Sequence, residues 1–87
     1  MTEYPYYIAV TYDAGLLKKI KLGVQSGRKF KTFSDCAGAI KNRYEKFPDT
    51  KNQQILILEY TNQYESKIIE ICTGEWWTSI EEPVVLM

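Results

Sequence analysis

Eighty-seven residues with 45% apolar and 25% charged side chains suffice for one globular domain and are too well mixed for a disordered or low-complexity chain. Eleven Lys/Arg and eleven Asp/Glu cancel to a net charge of zero, which argues against a dedicated, basic nucleic-acid domain. The chain has no histidine, so no Ser-His-Asp or Cys-His site can be assembled within it, and the commonest zinc ligand is missing.

The zero conceals a split. Residues 1–47 carry nine Lys/Arg and four Asp/Glu, a net of +5, whereas residues 48–87 carry two and seven, a net of −5. Such asymmetry points to partner binding through a basic surface, an acidic surface or both. Twelve aromatic residues supply a dense small core and leave some for an interface. Cys36 and Cys72 are fewer than the four or more cysteines usual in a small secreted domain. Residues 1–7 lack the pattern of a signal peptide, and no run approaches the roughly 20 apolar residues of a membrane helix. The expectation is a cytoplasmic protein with reduced thiols and no membrane partner.

In chain order, residues 6–13 alternate as a strand, with Tyr6, Ile8, Val10 and Tyr12 on one face and Tyr7, Ala9, Thr11 and Asp13 on the other. Asp13-Ala14-Gly15 is a turn signal. Residues 17–25 form a second strand, with Ile20, Leu22 and Val24 opposed to Lys19, Lys21 and Gln25, so the two read as a hairpin with a basic outer face. After the Ser26-Gly27-Arg28 turn, residues 29–33 read as a third, short strand.

A helix follows, capped by Ser34, with Asp35 at its positive end. Ala37, Ile40, Tyr44 and Phe47 make its apolar stripe, Lys41, Arg43 and Lys46 suit its C-terminal half, and Pro48 stops it. Residues 53–60 contain Ile55-Leu56-Ile57-Leu58, apolar on both faces as in a central strand. A loop at 61–65, a strand at 67–73, a turn at Gly74-Glu75 and a last strand at 76–80 complete the chain, ahead of an apolar tail at 84–87.

The order β-β-β-α-β-β-β predicts an α+β domain spanning residues 1–87, with an antiparallel sheet of five to six strands and the helix packed on one face. No catalytic, metal or phosphate-loop motif is present, and no cofactor is implied. Cys36, in the first helical turn, is the one thiol placed for a lowered pKa, and it is the basis of a thiol or redox reading. Free cysteine is also among the most buried residue types, which gives the plainer reading of a packed side chain.

Trp76-Trp77 is the most telling pair. Neighbours in a strand face opposite ways, so one ring can enter the core while the other stays available to a partner. Tyr7 adds aromatic surface, and Lys19, Lys21, Lys29 and Lys31 add basic strand faces. The expected role is a small non-catalytic protein that binds a protein partner, with homodimerisation as a companion. Phage and mobile-element inhibitors of host machinery are compact proteins of this kind. The alternative is a nucleic-acid-binding module using the basic first half, where lysines interleave with Phe30 and Phe33.

Overall fold

The computed structural model describes residues 3–13, 16–19, 21–22, 25–26, 28–80 and 85–86. They form an α+β arrangement of one main antiparallel sheet and one α-helix. Four strands carry the sheet in the order β1 (Tyr6–Asp13), β5 (Gln54–Tyr60), β6 (Ser66–Thr73) and β7 (Trp76–Ser79). Strand β2 (Leu16–Lys19) extends it beyond β1, with Val10 opposite Lys19 and Asp13 opposite Leu16. The apolar tail contributes β8 (Val85–Leu86), which pairs with Ser66 and Lys67. Those two residues also pair with β5, so β8 follows β7 along the other edge of β6.

The second and third expected strands take a different form. The described residues of 17–25 fall in β2 and in a separate two-stranded pair, β3 (Lys21–Leu22) with β4 (Gln25–Ser26), while residues 20, 23 and 24 lie outside the described residues. Of residues 29–33, Phe30 alone pairs with the sheet backbone, through an isolated bridge to Tyr7 with reciprocal backbone bonds of 2.8 and 2.9 Å. The physical reason lies at Thr32. Its extended backbone (φ −127°, ψ 153°) and its Oγ1, which accepts the Asp35 N–H at 3.1 Å, make it the helix cap in place of Ser34. Helix α1 therefore begins at Phe33 and runs to Lys46, so the strand has no room to continue.

Asp35 in the first turn and Arg43 and Lys46 in the last complement the helix dipole. Phe47 ends the helix at φ −128°, ψ 77°, and Pro48 opens a 3-10 helix, Pro48–Asn52. The chain has turned by then, so Phe47 leaves the expected stripe and is 56% exposed. Cys36 joins Ala37, Ile40 and Tyr44 on the buried face instead.

That face meets Ala9, Phe30, Ile55, Ile57 and Cys72, with Tyr7, Ile69 and Trp77 packed around them. The other side of the sheet buries Ile8, Val10, Leu56 and Leu58 among Tyr6, Tyr60, Ile68 and Ile71. Strand β5 lies between β1 and β6 and has buried residues on both faces from Ile55 to Leu58, which accounts for its unbroken apolar run. The register of β5 against β6 shifts between Ile57 and Leu58, and Ile69 is the extra residue. Asn62 Oδ1 accepts the N–H groups of Tyr64 and Glu65 at 2.8 and 3.0 Å and closes the loop between β5 and β6.

Candidate functional site

Strand β7 places the two tryptophans on opposite faces because Trp77 pairs with Cys72 and Trp76 with Thr73. Trp77 therefore shares the helix side with Cys72 and packs against the core, and its Nε1–H donates to Gly74 O at 2.9 Å. Trp76 turns the other way and is 82% exposed. Among the described residues β7 pairs with β6 alone, and no described strand covers its outer backbone edge.

The two edges of the sheet differ. Strand β2 reads LLKK and carries Lys18 and Lys19, the residue type that natural edge strands use against unwanted pairing. Strand β7 reads WWTS, with no charge, no proline and the most exposed large aromatic among the described residues.

A cleft of about 570 Å³ opens beside Trp77. It is lined by Lys41, Tyr44 and Glu45 of α1, by Lys51, and by Gly74 and Glu75 of the β6–β7 turn. Gly74 builds that turn at φ +57°, and a Cβ there would lie 2.9 Å from Lys51 O, so the position requires glycine on both counts. Tyr44 fixes the floor: its hydroxyl proton is shared between Gln53 O at 2.7 Å and Cys72 O at 3.1 Å. Lys41 Nζ stands 5.3 Å from the Trp77 ring centre, and Lys51 Nζ lies 3.7 Å from Glu75 Oε1. Two lysines and two glutamates leave the cleft without net charge.

The remaining sequence-predicted residues gather elsewhere. Tyr7 sits at the far end of the helix face, where its hydroxyl donates to Glu59 Oε2 at 2.9 Å. Burial first, then that hydrogen bond, raises its phenol above the ordinary 10.0. Lys29 Nζ stands 4.9 Å from the Tyr6 ring, and Tyr6 stacks on Tyr60 across the strands at 4.8 Å and 7°. Lys31 is exposed and lies 3.9 Å from Glu3. Lys19 falls in β2 and Lys21 in β3, and the side chains of both lie outside the described residues. The structure thus brings Trp76 and Trp77 together on β7, and Tyr7, Lys29 and Lys31 around the start of β1.

Both cysteines are free and fully buried between helix and sheet. Burial pushes the thiol of Cys36 up to about 12, opposite in direction to the lowered value a reactive thiol needs. Cys72 is likewise pushed up to about 12, by burial first and then by nearby Glu70 and Cys36. Among the described residues no three His, Cys, Asp or Glu side chains converge on a metal position, and no helix is long and apolar enough to cross a membrane.

Sequence patterning missed the cleft. Lys41, Tyr44 and Glu45 carry a local signal as neighbours on one stretch of helix, but Lys51 and Glu75 join them only through the fold. No family model, no curated protein and no solved structure matches this chain.

Proposed function

We propose that this protein works by binding another protein through the edge of β7, without catalytic turnover and without a cofactor. One observation carries the reading: Trp76 is 82% exposed on an uncharged strand that lies at the edge of the sheet among the described residues. A large aromatic ring left in water is costly unless a partner covers it, and tryptophan is the residue type most enriched at interface hot spots. The neutral cleft beside Trp77 offers a partner side chain an adjoining recess.

The two tryptophans test the reading as a pair. Trp76→Ala is expected to change stability by less than about 0.5 kcal/mol, as surface substitutions do, and to abolish partner binding. Trp77→Ala removes a ring packed on the core and is expected to cost about 2–4 kcal/mol. Chemical denaturation separates the two. A Trp76→Ala chain as destabilised as Trp77→Ala would assign both rings to the core and defeat the docking role.

A second reading has its own observation. Arg28 stands 4.8 Å from the Phe30 ring and Lys29 4.9 Å from the Tyr6 ring, beside exposed Lys31 and Tyr4, a basic and aromatic cluster of the type that holds single-stranded nucleic acid. It ranks second because the Tyr6 ring already lies against Tyr60 and Lys29, which leaves less of it for a base. A compact inhibitor of host machinery, of the phage or mobile-element type, is the setting in which the first reading fits best, in the cytoplasm.

A further inference from the structure

We infer that the partner which fits the β7 edge is a second copy of this chain, joined strand to strand about a twofold axis through Trp77. The inference rests on the docking role of β7 and names its occupant.

The first support is the contrast between edges. Strand β2 carries two lysines, whereas Trp76–Ser79 carries no charge, no proline and no described bulge against β6. An edge without such guards, unpaired among the described residues and with exposed Trp76 on it, is suited to accept another strand.

The second support is register. Opposed residues of an antiparallel pair share a face. Trp76 and Thr78 lie on one face of β7, and Trp77 and Ser79 on the other. Centred on Trp77, the self-pairing sets Trp76 of each copy against Thr78 of the other, an aromatic–β-branched pair of the stabilising kind. It sets the two Trp77 residues side by side on the helix face. No charged residue lies within Trp76–Ser79, so the paired strands themselves set no like charges against each other, and Glu75 in the preceding turn is paired with Lys51 within its own chain. A register shifted by one residue would set Trp76 against Ser79, which points to the wrong face.

The third support is charge and area. The chain has zero net charge, so two copies approach without overall repulsion. Two Trp76 side chains of roughly 150–250 Å² each, with the two paired strands, make a small contact, below the about 1,200 Å² of stable specific interfaces and in the range of weak, transient ones. That size gives a reversible dimer whose population depends on concentration.

Sedimentation velocity on the intact chain, from about 10 to about 500 μM, reads this directly, since an interface of this size is expected to half-associate within such a range. The wild type is expected to move from monomer to dimer across the series. Trp76→Glu is expected to raise the dissociation constant by at least about tenfold, as loss of a central aromatic anchor does. Thr78→Lys is the second variant; it puts onto β7 the guarding residue that β2 already carries, and is expected to block the dimer in the same way. Thermal melts at the lowest concentration confirm that each variant is folded. A wild type that stays monomeric at the highest concentration overturns the inference, as does a folded Trp76→Glu or Thr78→Lys chain that dimerises like the wild type. The wider docking role has a separate readout, because retention of another protein by the wild-type edge and its loss in Trp76→Glu is measured on dilute chain.

Discussion

The two thiols show how burial changes what a residue can do. Cys36 stands in the first helical turn, where the dipole alone would favour a thiolate. Full burial against Ala9, Ile55 and Cys72 outweighs that effect and holds the proton on. The consequence for stability has a definite sign. In the unfolded chain the thiols ionise near 9, whereas folded Cys36 and Cys72 keep their protons to about 12. Between those limits the unfolded state binds fewer protons, so stability falls as pH rises, and below pH 9 the thiols contribute no slope. Tyr44 is raised in the same direction, chiefly by burial. Urea midpoints are therefore expected to fall between pH 9 and 10.5, an interval of about 1.5 units inside that window, and less steeply in a Cys36→Ala, Cys72→Ala double variant. An unchanged slope in the double variant would remove the thiols from the account.

At the scale of elements, the β6–β7 hairpin is the piece on which the candidate site depends. Gly74 turns it at φ +57°, and the resulting turn presses against Lys51 and carries both tryptophans into place. Gly74→Ala is expected to cost about 1–3 kcal/mol, from the left-handed backbone and the collision with Lys51 O together, and to loosen the cleft. A denaturation midpoint equal to that of the wild type would contradict this. The turn, the central β5 strand and the two faces of β7 are local patterns of residue type and alternation, and each was legible in the sequence. The helix start was not, because Thr32, Ser34 and Asp35 all satisfy the same local rule, and the choice of Thr32 depends on where the Phe30–Tyr7 bridge holds the preceding chain. Phe47 likewise fits the helical period but falls one residue past the last helical turn.

For the whole molecule, the charge split acquires a spatial meaning. The strand order puts β1 and β2 on one side of β5, and β6 and β7 on the other. Exposed Arg28, Lys29 and Lys31 therefore lie beside β1, while Glu65 and Glu75 lie at the two ends of β6. Helix α1 works against this separation by crossing the sheet and bringing Lys41 to Trp77. Lys51 then pairs with Glu75, so the cleft beside β7 carries no net charge, while the Ser79 hydroxyl donates to the buried Glu70 carboxyl on the same face. Affinity at β7 thus has to come from apolar contact and strand pairing, with little dependence on salt, whereas a nucleic acid held at Arg28, Lys29 and Lys31 would be released steeply as salt rises. The cleft itself was not legible in the sequence, because its walls come from three separate segments that only the fold brings together, through the Tyr44 hydroxyl and the Lys51–Glu75 pair.

The most direct test of the docking role is affinity capture from the cells that make this protein, at low bait concentration and after nuclease treatment. Wild type, Trp76→Glu, and a Lys29→Glu, Lys31→Glu double variant serve as baits, and retained proteins are quantified by mass spectrometry. The same proteins are expected to be retained by the wild type and the lysine double variant, to survive nuclease and moderate salt, and to drop by at least about tenfold on Trp76→Glu. Equal retention by Trp76→Glu, or loss of every retained protein on nuclease treatment, would contradict the docking role.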